Sequence, residues 1–267
     1  MRILLTNDDG INAPGLAALT EVAQALAGPG GEVWTVAPAF EQSGVGHTIS
    51  YTRPMLISQL AERRFAVEGS PADCVLAALY DVLPERPELV LSGINRGNNA
   101  AENALYSGTL GAAMEAALQD LPAVALSQYL SPDLFKTPDI FDAARRLAPA
   151  ILRRLMEHLQ TPSHDDYRVF FNVNFPPCPA AEVKGTKICA QGRREETYFS
   201  ATRQKSPTGR DYLWLKGGTQ HGPSTPGADA DLLTQGYVSV TPMRADLTAQ
   251  DQLVALSRSF ETGGKAP

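Results

Sequence analysis

The 267 residues are 43% hydrophobic, enough to bury a full core in one large domain or in one domain with an elaboration. A formal charge of -6 and a pI near 5.3 offer polyanions no general field, which argues against polymeric nucleic acid while leaving room for a small phosphorylated ligand held locally. Cys74, Cys178 and Cys189 are odd in number and far apart, against both a disulfide framework and a four-cysteine zinc site, so the cytoplasm is the expected compartment. Arg2, Asp8 and Asp9 interrupt the N-terminus too early for a secretory segment, and no apolar run reaches the roughly 18 residues that span a bilayer; a soluble protein without membrane contact is expected.

Residues 2–6 predict a strand, and the most informative pattern follows it directly, Thr6-Asn7-Asp8-Asp9-Gly10. Two adjacent carboxylates where a buried strand ends are electrostatically unfavourable unless a cation sits between them. Because strand side chains alternate faces, Asp8 and Asp9 converge only if the backbone turns here, which Gly10 permits. Such a pair suits a hard divalent cation with oxygen ligands, Mg²⁺ or Mn²⁺ before Zn²⁺. The alternative is that Asp9 caps the following helix and Asp8 is merely solvated.

Residues 14–26 predict a helix with Leu16, Leu19, Val22 and Leu26 on one stripe, and 32–37 the next strand, completing a βαβ unit. Ser70-Pro71-Ala72-Asp73 reads as a capped helix start. A strand over 88–92, a helix over 108–119, a strand over 122–127 and another over 168–173 continue the alternation. The expectation is a doubly wound, Rossmann-like three-layer αβα core with a mostly parallel sheet. After residue 178 the texture changes to β-runs at 184–190, 211–216 and 236–241 between Gly, Pro and polar stretches, too few for a second core. One domain over 1–267 is expected: an α/β core over 1–177, a β-rich elaboration with hairpins and arms over 178–248, and over 249–267 a helix that packs back on the body before a fraying tail.

Three loops can converge on the carboxylates, since ligands of open α/β sheets lie outside the carboxyl ends of the strands. In the loop 37–44, Ser43 offers a hydroxyl oxygen and Gly44 a close approach, though a plain polar turn has the same composition. In 92–99, Asn95 and its neighbours offer amide oxygens to a metal and glycine-flanked N–H groups to an anion; an ordinary Gly/Asn loop is the alternative. In 106–114, Ser107-Gly108-Thr109 enters a helix of small residues, where unpaired N–H groups and the positive dipole end suit a phosphate. Simple capping by Ser107 is compatible with that.

The stretches TNDDG with INAPG, APAFEQSG, SGINRGNN and YSGTLGAAMEA, in this order, resemble the survival protein E (SurE) family of metal-dependent nucleotidases. GYVSVTPMRADLT near the C-terminus resembles the family's closing strand and turn, so the likeness spans nearly the whole chain. The resemblance implies a phosphomonoesterase acting on nucleoside 5′- and 3′-monophosphates, with short polyphosphate as a further substrate, one Mg²⁺ or Mn²⁺ per subunit, and a homodimer or homotetramer. It puts the metal ligands at Asp8, Asp9, Ser43 and Asn95, with Asp8 and Asp9 also catalytic, and the phosphate-side residues at Ser107, Gly108, Thr109 and Asn99. Ala39 and Ala72 depart from the Asp and Thr common in the family, and neither departure touches the proposed ligands.

The mechanism this implies is in-line attack of water on phosphorus without a covalent intermediate. Asp8 is the candidate for orienting or deprotonating the water. His47 is a conceivable acid because it follows Ser43 closely, and His221, near Asp229 and Asp231, is a weaker one. Two other readings stay open. A phosphatase forming an aspartyl-phosphate normally separates its nucleophile and acid by a residue, whereas Asp8 and Asp9 are adjacent. A non-catalytic nucleotide sensor would hold its ligand without turnover, but neither a G-x-G-x-x-G run after the first strand nor a G-x-x-x-x-G-K-[ST] loop is present.

Overall fold

Alternation in the first strand sets the layers. In β1 (Arg2–Thr6) Ile3 and Leu5 face one side of the sheet and Leu4 the other, and all three are fully buried. The computed structural model describes residues 1–159, 166–195 and 199–262. Its further elements in chain order are α1 (Pro14–Ala27), β2 (Glu32–Pro38), β3 (Ile57–Ala61), β4 (Arg64–Val67), α2 (Pro71–Ala77), β5 (Leu89–Arg96), α3 (Gly108–Leu118) and β6 (Ala123–Gln128). They continue with α4 (Asp142–Leu159), β7 (Phe170–Phe175), β8 (Thr186–Ile188), β9 (Ser200–Lys205), β10 (Asp211–Lys216), α5 (Asp229–Thr234), β11 (Val238–Met243) and α6 (Gln250–Thr262).

Ile3 and Leu5 join Leu16, Leu19 and Val22 of α1 and Leu152 and Leu155 of α4 in one core. Leu4 joins Cys74 and Val75 of α2 and Leu110, Ala113 and Ala116 of α3 in the other. Helices therefore cover both faces, the three-layer αβα arrangement expected. Nine strands form the sheet in the order β3-β4-β2-β1-β5-β6-β7-β11-β8. The run from β4 to β7 is parallel, while β3 and β11 pair antiparallel with β4 and β7. This is a Rossmann-like fold with a mixed periphery.

Several expectations need adjustment. The strand read as 88–92 runs on to Arg96, with a register shift against β6 between Ser92 and Asn95, so Asn95 sits on an irregular strand end and not in a free loop. The hairpin β3–β4 and the helix α4 escaped the chain-order reading. The run at 236–241 belongs to the main sheet as β11, where β7 supplies an antiparallel partner; β9 and β10 form the separate hairpin. The last helix does not pack back on the body: Leu253, Val254, Leu256 and Phe260 of α6 all stand exposed. The fraying assigned to Gly263 and Gly264 lies outside the described residues. Among the described residues no helix is long and apolar enough to cross a membrane.

Candidate active site

Asp8 and Asp9 sit at the carboxyl end of central strand β1. The capping alternative for Asp9 fails, because α1 is capped by Ala13 without a side-chain hydrogen bond and opens on Pro14. Instead the chain turns: Asn7 Nδ2 donates to the Gly10 carbonyl at 2.9 Å, and Gly10 takes a φ of 99°, open to glycine at little strain. Gln42 N–H donates to the Asp8 carbonyl at 2.7 Å, tying this turn to the loop after β2.

Each carboxylate is then held by a different element. Asp8, 4% exposed, accepts from Thr109 Oγ1 at 2.6 Å and from Thr109 N–H at 3.2 Å, both at the start of α3. Asp9 accepts from the Arg96 backbone N–H at 3.0 Å, at the end of β5. A Cβ on Gly108 would lie 2.9 Å from Asp8 Cβ, so a glycine is needed for α3 to approach this closely. Burial pushes the Asp8 carboxyl up to about 6 against the Thr109 hydrogen bonds, with Asp9 adding to the rise. Burial also raises Asp9, helped by Glu41 and opposed by the Arg96 N–H.

These residues line a cleft of about 860 Å³ that also takes in Ser43, Asn95, Asn99 and Ser107. The four proposed ligands are thus brought to one cavity. Ser43 Oγ donates to Glu41 Oε1 at 2.7 Å, which leaves its oxygen lone pairs free to accept. Asn95 Nδ2 donates to the Gly97 carbonyl at 3.0 Å, which assigns the amide so that Oδ1 is the free end. No cluster of three or more His, Cys, Asp or Glu side chains suited to a metal exists among the described residues. A cation bound at Asp8 and Asp9 would therefore complete its shell with neutral oxygens, a donor set that suits Mg²⁺ or Mn²⁺ before Zn²⁺.

The predicted phosphate-side residues divide. Ser107 lines the cleft, and its Oγ accepts from Leu110 N–H at 3.1 Å as the cap of α3. Thr109 is fully buried behind Asp8. Asn99 lines the cleft but is also pinned from below: its N–H donates to Asn174 Oδ1 at 2.7 Å, its Nδ2 to Ser127 Oγ at 2.8 Å, and its carbonyl accepts from Asn172 Nδ2 at 2.8 Å. Asn172 and Asn174 were not read as site residues from sequence, although Asn-x-Asn within the apolar strand β7 places both amides on one face and is the signal that betrays them.

The two candidate histidines lie elsewhere. His47 Nε2 is 2.7 Å from Glu115 Oε2 on α3, and neither lines the cleft. His221 stacks on Tyr129 and reaches its hydroxyl through Nδ1 at 2.5 Å, while Asp229 accepts from the Ala101 and Gly192 N–H groups.

Fold and site together define a doubly wound α/β protein with a ligand cleft at the carboxyl edge of its parallel strands, built around two adjacent carboxylates, Asp8 buried and Asp9 half-buried. The sequence model of the family described as Survival protein SurE matches residues 3–198. The chain is similar to 5'-nucleotidase SurE of Ruegeria pomeroyi, 64% identical over 261 residues that cover 97% of this chain and 100% of that protein. It is 56% identical over 263 residues to 5'-nucleotidase SurE of Jannaschia sp., covering 98% of this chain and 100% of that one. Among solved structures, the SurE protein from Aquifex aeolicus superposes with a TM-score of 0.77 at 32% identity, over 97% of this chain and 100% of that chain. This protein belongs to the SurE family.

Proposed function

We propose that the chain is a divalent-cation-dependent 5′-nucleotidase, hydrolysing nucleoside 5′-monophosphates to nucleoside and phosphate, with 3′-monophosphates and short polyphosphate as further substrates. The observation that carries the reading is the adjacent pair Asp8, buried, and Asp9, half-buried, both lining one cleft with neutral oxygens. Full-length likeness to proteins named 5'-nucleotidase SurE supports the substrate class.

In this reading Asp8, Asp9, Ser43 and Asn95 hold one Mg²⁺ or Mn²⁺. When bound, such a cation polarises a phosphoryl oxygen and neutralises charge that develops on it. Asp8 orients the attacking water and takes its proton. The new bond joins the water oxygen to phosphorus as the ester P–O bond breaks in line with it, and the departing nucleoside oxygen takes up a proton from solvent to leave as the alcohol. Since Thr109 already serves Asp8 with both its donors, the phosphate seat reduces to Ser107, the Gly108 N–H and the remaining amide hydrogen of Asn99. Thr109 contributes indirectly, by orienting Asp8.

A cytoplasmic homodimer or homotetramer fits the remaining features. The three cysteines are free thiols, as a reducing compartment requires. The exposed Leu213, Trp214 and Leu215 of β10, with Leu253 and Val254 of α6, are the surfaces such an assembly would cover.

Phosphate release from AMP, measured with and without chelator, tests the reading. Release that chelator abolishes and added Mn²⁺ or Mg²⁺ restores is expected. Turnover indifferent to chelator would overturn the cation's role, and AMP binding without turnover would establish the sensor instead.

A further inference from the structure

Three carboxylates line the cleft, Asp8, Asp9 and Glu41, and a substrate phosphate brings more negative charge to it. Among the described residues lining it, Arg96 is the one cationic side chain. Its backbone N–H is bonded to Asp9 Oδ2, which anchors this exposed residue beside the carboxylate pair. Its guanidinium nonetheless makes no ion pair with a carboxylate among the described residues. It lies over the ring of Phe135, with Cζ 5.7 Å from the centroid, and Phe135 lines the same cleft.

A ring face orients a guanidinium through its quadrupole while using none of its N–H donors. A carboxylate would have occupied them. The arrangement therefore leaves a planar fork of donors open, and the geometry of that fork matches the oxygens of a phosphate.

We propose that Arg96 is a further catalytic residue, whose guanidinium, held over Phe135, binds the substrate's phosphate and balances the charge that grows on it in the transition state. This rests on the nucleotidase reading and extends it. The cation would act from the Asp8 and Asp9 side, and Arg96 would act on the phosphoryl oxygens that the cation leaves exposed.

Arg96→Met, Arg96→Lys and Phe135→Leu test it, with AMP kinetics and calorimetric titration of Mn²⁺ into the substrate-free protein. Arg96→Met is expected to lower kcat/KM for AMP by about 10- to 100-fold, as loss of a charge-assisted phosphate contact does. Arg96→Lys should recover part of that loss, because it keeps the charge without the fork. Phe135→Leu should lower kcat/KM by roughly two- to fivefold, since the guanidinium stays but loses its support. The substrate-free Met variant should bind Mn²⁺ more tightly, by about two- to fivefold, because a positive charge beside Asp9 is gone. Parallel weakening of Mn²⁺ binding and activity would mean that Arg96 only shapes the Asp9 loop, and would overturn the proposal. Wild-type turnover that Arg96→Met leaves intact would refute the role of Arg96 alone, whereas a wild-type protein that releases no phosphate from AMP would refute the nucleotidase reading and this role with it.

Discussion

Thr109 grips Asp8 twice, with its hydroxyl on Oδ1 at 2.6 Å and its N–H on Oδ2 at 3.2 Å. A buried carboxylate in the turn just after β1 is thereby locked to the first turn of α3, about a hundred residues further along the chain. Asp9, its sequence neighbour, is held by the Arg96 N–H of β5. The pair is positioned by two separate elements, so its geometry does not depend on the turn at Gly10 alone.

Asp8→Asn and Asp9→Asn should each remove most phosphatase activity, at least about 100-fold, while the far-UV circular dichroism spectrum stays unchanged. Each deletes charge at nearly constant volume from a site whose ligands are otherwise neutral or singly anionic. Full turnover by both variants at saturating Mn²⁺ would remove the metal-site assignment.

Ser43→Ala and Asn95→Ala each remove one neutral oxygen. Their effect should be gentler, with the Mn²⁺ concentration for half activity rising about 3- to 30-fold and excess Mn²⁺ restoring part of the rate. Titration of activity against free Mn²⁺ is the measurement. An unchanged metal dependence would return both to the status of loop residues.

Asp8 also predicts how the metal-free protein responds to pH. Its carboxyl lies at about 6 in the fold against an ordinary 3.8, so between these values the native state binds more protons than the unfolded chain. Stability from this group is therefore fully present below about pH 4 and is lost as pH rises through about 6, by on the order of 2–3 kcal/mol. Urea melts of chelator-treated protein from pH 4 to 7 should show that decline, and Asp8→Asn should flatten it. A bound cation favours the anionic carboxylate and should reverse the trend in the loaded protein.

Direct attack by water inverts configuration at phosphorus, whereas an aspartyl-phosphate route has two displacements and retains it. Asp8 and Asp9 are adjacent and proposed to share one cation as ligands, which places them poorly to divide nucleophile and acid roles. Hydrolysis of a chiral phosphate ester made with oxygen isotopes should give inversion, with no acyl-phosphate on Asp8 or Asp9. Retention, or a trapped phosphoenzyme, would replace this mechanism with the covalent one.

Local signals were enough for much of this protein. The switch from strand to helix periodicity, the Ser70 capping box and the Ser107 cap all depend on residues close in sequence, and their elements stand where the pattern puts them. The same holds for the motif loops that gather Asp8, Ser43, Asn95 and Ser107, because strand ends in a parallel sheet must open on one edge. Pairings between distant segments were beyond that reach. Nothing near residue 240 announces an antiparallel partner in β7, nothing near Thr109 marks it as the donor to Asp8, and the open Nε2 of His47 finds Glu115 only once α3 is packed. Tertiary structure decided these because each joins groups whose meeting depends on how helices settle on the sheet, and burial then changed their chemistry, raising Asp8 to about 6 where water would have left it near 3.8.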